Sequence, residues 1–268
     1  MRKVLIILSS FTLVVTILIA WVMLDGYRIY RFRTSQDDIS VTDVDMTGLK
    51  ELNLSGSNQI VFRNLHQKLE NIKLPIYILD LSYDSSGYIG EFTAAFFGYP
   101  DSSKLQHYIR RLLILRRLSL YESDIKPESQ VAATYDFHYF HLPFKSRTIP
   151  SNDFVENFIK IIDNIPSPAW IHTYCQSGRG RTSLAMVMVD ILKNSTQVSC
   201  RDIMKRQYLL GSQNIDDTSL WRNGTYTQEM LNNRKTFILD FCHFARQRST
   251  GIHSWSEWKK AEHLPGGR

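Results

Sequence analysis

Residues 171–183 read IHTYCQSGRGRTS and lie between the apolar residues 169–170 and the apolar run LAMVMV. The spacing predicts a strand ending near Cys175, a tight loop, and a helix beginning near Arg181. Gly178 and Gly180 give the loop backbone freedom that other residues resist, so successive amides can turn inward. The amides of Gln176, Ser177, Gly178, Arg179 and Gly180 would then face one anion, reinforced by the positive end of the helix. Arg181 adds a planar fork suited to two phosphate oxygens. In that field the Cys175 thiolate is stabilised and becomes a nucleophile toward bound phosphorus. Thr182, directly after the arginine, is placed to donate to the sulfur when it leaves again. These are the residue types that phosphocysteine chemistry needs; a bare Cys-x5-Arg spacing would be far less specific.

Strand and helix signals alternate outward from this loop. PIYILDL (75–81) reads as a buried strand, DFHYFHL (136–142) as a second strand and AWIHTYC (169–175) as a third. Ser151 opens a helix whose Phe154, Phe158, Ile161 and Ile162 share one face. The apolar segment 181–194 reads as a helix packed on the sheet. Residues 200–211 form another, closed by Gly211, and 227–247 a long amphipathic one. Residues 102–120 read as one helix, with Arg110, Arg111, Arg116 and Arg117 on a solvated face beside a leucine stripe. The pattern predicts one α/β domain over residues 34–262.

The first 24 residues differ from everything after them. After Met1, Arg2 and Lys3, residues 4–24 carry no charge and are long enough to cross a bilayer as a helix. Ala20 followed by Trp21 is a poor cleavage pattern, so an uncleaved anchor is favoured over a cleaved signal followed by secretion. Polar residues 25–50 read as a tether. The chain of 268 residues carries a net charge of +6, which suits an anionic partner; no basic and aromatic interleaving points to nucleic acid. Three cysteines make no disulfide framework, and Cys200 and Cys242 read as buried small hydrophobes. No His/Cys spacing suggests a metal, and no cofactor is implied.

The chain resembles the protein-tyrosine-phosphatase-like cysteine phytases, bacterial inositol polyphosphate phosphatases. FRTS (32–35), LNLSGS (52–57), YILDLSYDSSGYIG (77–90), the run 139–175, VMVDILKN (187–194), RDIMKRQYLLG (201–211) and SWSEW (254–258) carry the likeness. The resemblance implies a mixed sheet flanked by helices, with the loop at one strand end. It also implies hydrolysis of phosphate monoesters and a periplasmic or extracellular catalytic domain.

Three positions depart from that family. Tyr174 stands where a histidine precedes the nucleophile, and Ser82 replaces an arginine. Ser146 occupies the place of the general-acid aspartate. Lys145 and Arg147 beside it suit an anionic substrate but are poor proton donors; Asp84, Asp136 and Asp153 are the carboxylates to examine as substitutes. Three functions follow: a phosphomonoesterase slowed by the missing acid, a pseudophosphatase that binds phosphorylated ligands, or a protein-tyrosine or dual-specificity phosphatase, whose phenolate leaving group depends less on an acid.

Overall fold

The strand expected before Cys175 is present, and it lies at the centre of a five-stranded sheet. Its members are β1 (Arg33–Thr34), β2 (Leu54–Asn58), β3 (Ile76–Asp80), β4 (Phe137–His141) and β5 (Trp170–Cys175). Their spatial order is β1-β2-β5-β3-β4. β1 is antiparallel to β2 and every other pairing is parallel, so the sheet is mixed. The parallel register sets Asn58 beside Cys175, and Asp80 beside both Tyr174 and His141. The C-terminal ends of four strands therefore share the edge where α/β proteins build their sites.

This computed structural model describes residues 2–24, 30–40, 43–59, 61–83, 87–98, 104–220, 224–248, 251 and 254–262. They divide into two compact units. The sheet belongs to the unit formed by Tyr30–Gln59, Ile72–Asp84 and Asp136–Arg268.

Helices pack on this sheet for the reasons their sequences suggest. In Asn152–Asn164 the Ser151 hydroxyl accepts from the Phe154 amide, capping the first turn. Phe154, Phe158 and Ile162, at i, i+4 and i+8, are buried, with Val155 and Ile159 beside them, while Ile161 is half-buried. Helix Gly180–Asn194 is buried through nearly its whole length. Its Asp190 holds Arg206 and Gln207 of helix Cys200–Leu209 and Asn194 of its own last turn. Arg206 also donates to the carbonyls of Asp45 and Thr47, which fastens the polar stretch around them. A buried ion pair this fully bonded costs little, but losing one partner would strand a charge.

Cys200 and Cys242 are not separate buried thiols, as the sequence reading has them. They form a disulfide between helices Cys200–Leu209 and Gln228–Gln247, with their Cα atoms 6.2 Å apart. The cysteines lie 42 residues apart and meet only because those helices pack together.

The other unit comprises Met1–Ile29, Ile60–Asn71 and Ser85–Tyr135. It holds the N-terminal helix Arg2–Leu24 and a small antiparallel sheet in which Gly87–Ile89 pairs with Phe92–Thr93 and Lys126–Pro127. Its core gathers Ile89, Phe92, Phe96, Phe97 and Leu120. Phe62 stacks on Tyr88 and its amide donates to the Tyr88 hydroxyl.

Here the single helix expected over residues 102–120 is corrected. An α-helix covers Leu105–Arg110, continues as a π turn over Arg111–Leu115, and stops at Arg116 in the left-handed conformation. Nor are all its arginines solvated. Arg110 and Arg111 are each 3% exposed. Arg110 donates to the carbonyls of Val22 and Phe96, Arg111 to those of Phe97, Gly98 and Leu118. The π turn is wider than an α turn, and here the consecutive arginines both point inward.

Candidate active site

β5 delivers Cys175 to the sheet edge, and helix Gly180–Asn194 begins five residues later. Gly178 has φ +66°, and a Cβ there would come within 2.4 Å of the Asn58 amide nitrogen. Glycine is required on both counts. Gly180 is different from the expectation: its φ is not positive. What restricts it is space, since a Cβ would lie 2.6 Å from the Tyr226 hydroxyl.

The thiol is buried at the base of the loop. Thr182 Oγ1 lies 3.2 Å from Cys175 Sγ, and the amides of Thr182 and Ser177 also point to the sulfur. Burial pushes the thiol pKa up, but the Thr182 hydroxyl, the Arg181 charge and those two amides outweigh it, so the net shift is downward. No side chain caps the start of the helix, which leaves its first amides facing the loop.

Arg181 is oriented from one side only. Its Nη1 donates to the carbonyls of Leu81, 2.8 Å away, and Phe144, 3.2 Å away. These carbonyls come from the loops after β3 and β4. They fix the guanidinium plane and leave the Nε–Nη2 edge for an anion.

Two further arginines, whose roles sequence reasoning missed, hold the loop from behind. Arg31 Nη1 donates to the Ser177 carbonyl at 2.6 Å, and Arg33 Nη1 to the Gly178 carbonyl at 3.1 Å. Arg33 is buried and also donates to the hydroxyls of Ser183 and Ser212. By engaging these carbonyls they fix the peptide planes of the loop; the Gly178 amide, expected to face the anion, instead donates to the Cys175 carbonyl, 3.2 Å away, closing the turn. Burial lowers the Arg33 pKa to about 10, against the opposing pull of the Cys175 thiolate, so the group stays charged at neutral pH. The FRTS motif (32–35) includes Arg33 but not Arg31, and only the β1–β2 pairing brings residues 31–33 against residues 177 and 178.

Gln176, Ser177 and Arg179 are exposed on the loop. Arg31 and Arg179 are near enough that, after burial, Arg179 is the next cause lowering the Arg31 pKa. Lys145, Ser146 and Arg147 are exposed on a turn, with Arg147 in the left-handed conformation. Phe144, just before them, contributes the carbonyl that Arg181 grips, so this turn borders the cup.

The proposed substitute acids fare differently. Asp136 precedes β4 at its N-terminal end, and register places Phe137 level with Ile76 and Trp170. Asp136 is thus on the opposite sheet edge, roughly 16 Å of strand from Cys175, and is excluded. Asp153 is exposed in the first turn of helix Asn152–Asn164. Asp84 lies outside the described residues. Asp80 is fully buried and engaged by the Ser82 amide and the Tyr139 hydroxyl.

Tyr174 and His172 are both fully buried. The His172 nitrogens meet the hydroxyls of Ser55, 2.8 Å away, and Ser57, 3.2 Å away. Trp170 donates to the same Ser55 hydroxyl. Burial, and after it the Arg33 charge, lower the His172 pKa to about 3, so it is a neutral strut. Among the described residues no group of three or more His, Cys, Asp or Glu could hold a metal ion.

Sheet order, strand-end cysteine and glycine-spaced loop define the protein-tyrosine-phosphatase class of fold. The chain superposes on the PTP-like myo-inositol phosphatase from Mitsuokella multacida, solved with myo-inositol-(1,3,4,5)-tetrakisphosphate (TM-score 0.70, 21% identity, 88% of this chain and 46% of that one). It also superposes on a PTP-like phytase from Bdellovibrio bacteriovorus (TM-score 0.61, 22% identity, 86% of this chain and 89% of that one). A family model for PTP-like phytases, described under inositol hexakisphosphate, matches residues 118–193. AvrBs1.1 from Xanthomonas campestris pv. campestris is 34% identical over 89 residues, 33% of this chain and 86% of that protein. This chain belongs to the PTP-like phytase family. It spans less than half of the Mitsuokella chain. It spans 29% of the Pseudomonas syringae pv. tomato effector protein hopD2, matched at 25% identity over 138 residues, 51% of this chain.

Proposed function

We propose that the protein is a cysteine-dependent phosphomonoesterase acting on inositol polyphosphates or similar phosphate esters. The observation that carries this reading is the environment of Cys175 Sγ. A hydroxyl, two amides and the Arg181 charge converge on it and hold its pKa down. In the first half-reaction the thiolate attacks phosphorus, an S–P bond forms and the ester P–O bond breaks. The leaving alkoxide takes a proton from water, since Ser146 offers no carboxyl group. Water then attacks the phosphocysteine, the S–P bond breaks, inorganic phosphate leaves, and Thr182 donates to the departing sulfur. Exposed Arg31 and Arg179 beside the loop suit a substrate with more than one phosphate.

The N-terminal helix supports a membrane-anchored protein: Ile6–Leu24 has mean hydropathy 2.5 and is 6% buried. The Cys200–Cys242 disulfide supports a catalytic unit on the oxidising, periplasmic or extracellular side. A thiol-blocking assay on intact cells, resolving oxidised from reduced Cys200 and Cys242, tests that placement.

One observation favours a second reading, a binding module without turnover: the turn beside Phe144 carries Lys145, Ser146 and Arg147 but no carboxylate. Phosphate release by the detergent-purified full chain from an aryl phosphate and from inositol hexakisphosphate separates the two. Enzymatic release lost in Cys175→Ser supports the phosphatase; ligand binding without release from either ester supports the binding module.

A further inference from the structure

The segment from Leu105 to Leu118 is built inside out. Arg110 and Arg111 face inward and are bonded to carbonyls, and the Arg110 guanidinium lies 4.1 Å over the Phe96 ring. Four of its leucines face outward, Leu105 being 73% exposed, Leu112 55%, Leu113 45% and Leu118 54%, while Ile114 and Leu115 pack on the core. In water this arrangement is doubly unfavourable, because it desolvates two cations and hydrates four leucines. It becomes favourable where the surroundings are apolar.

The N-terminal helix indicates what those surroundings are. Arg110 Nε donates to the Val22 carbonyl, 3.0 Å away, in the last turn of the helix. Val15, Leu18, Ile19 and Val22 face Leu105 and Ile109 across an apolar groove of about 760 Å³. At about 1.5 Å per residue, Val15 is ~13 Å of helix from Leu24, within one leaflet of a bilayer that this helix crosses. A groove fixed at that depth meets acyl chains rather than water. Exposed Lys104 and Arg116, with Trp21 and Tyr108, supply the basic and amphipathic groups that favour headgroup level.

Resting on the membrane-anchor reading, we propose that Leu105–Leu118 is a second, monotopic lipid contact. Its leucines enter the leaflet that surrounds the C-terminal half of the N-terminal helix, with acyl chains filling the groove.

Nitroxide labels on the full chain test this in phosphatidylethanolamine–phosphatidylglycerol nanodiscs. Leu13→Cys, Leu105→Cys, Leu112→Cys and Lys160→Cys are each made in a Cys175→Ser background, so that the label enters one site. Collision with oxygen is compared with collision with a water-soluble nickel chelate. Leu105 and Leu112 are expected to match Leu13, favouring oxygen at least several-fold, while Lys160 favours the chelate. If Leu13 is oxygen-favoured but Leu105 and Leu112 behave like Lys160, the lipid contact is overturned and the anchor stands. If both segment positions are closed to both reagents, a protein covers the face and the lipid contact is again overturned. If Leu13 itself is open to the chelate, the anchor reading fails and takes this contact with it.

Discussion

Thr182 Oγ1 stands 3.2 Å from Cys175 Sγ and 3.3 Å from the Ser57 carbonyl oxygen, and its single proton can serve only one of them. A thiolate is the stronger acceptor, so the hydroxyl turns to sulfur when the thiol ionises. A hydrogen bond to a charged partner is worth about 1.5–3 kcal/mol. Thr182→Val should therefore lower turnover about 10- to 150-fold. The acid limb of the pH–rate profile should move to higher pH, because the thiolate forms later. Thr182→Ser should restore most of both effects. An unshifted limb in the valine variant would remove this hydroxyl from the account of the lowered pKa.

Arg33 and Arg31 touch adjacent loop carbonyls but differ in burial. Arg33→Ala strands the Gly178 carbonyl and two hydroxyls, so it should cost about 3 kcal/mol of stability and weaken phosphate binding at least tenfold. Arg31→Ala, at an exposed position, should leave thermal stability almost unchanged and weaken binding of a polyphosphate more than of inorganic phosphate. Calorimetric titration with both anions checks the pair; equal losses on the two would deny Arg31 a role in reading a second phosphate.

Position 146 sits on the turn that follows the Arg181-binding carbonyl of Phe144. Ser146→Asp should raise hydrolysis of inositol phosphate by about a hundredfold or more and change aryl phosphate hydrolysis much less. Charge builds most on the more basic leaving oxygen. Asp136→Asn, on the opposite sheet edge, should change neither rate. Steady-state kinetics with the two esters reads both variants.

His172 links stability to acidity. Its folded pKa is depressed to about 3, whereas in the unfolded chain it returns to the ordinary value of 6.5. Between those values the unfolded state binds more protons, so the contribution is complete above pH 6.5 and is lost as pH falls toward 3. The slope is at most about 1.4 kcal/mol per pH unit from this group. His172→Gln should flatten that part of the denaturation profile; urea midpoints from pH 7 to pH 4 that fall equally in both proteins would show other groups responsible.

The central strands were legible because β3, β4 and β5 are short, bounded runs, and the loop because its glycines and arginine are adjacent in sequence. Arg33 was not legible as a support: its partners Gly178, Ser183 and Ser212 lie at least 145 residues away. The helix around Arg110 failed for another reason. Periodicity shows that a helix has two faces, but only the carbonyls of Val22 and Phe96–Gly98 decide which face is inside. Gly180 shows the same limit, since the restriction comes from Tyr226, a residue remote in sequence.

Because Cys200 and Cys242 are joined to each other, Cys175 has no second free thiol among these 268 residues. A peroxide that converts its thiolate to a sulfenic acid meets no resolving cysteine, so no intrachain disulfide halts passage to the sulfinic form. Recovery of activity after mild peroxide should then require an added small thiol, and mass spectrometry should find residue 175 over-oxidised when that thiol is withheld. The covalent clasp that braces the helices thus makes the nucleophile dependent on the reducing power of its surroundings.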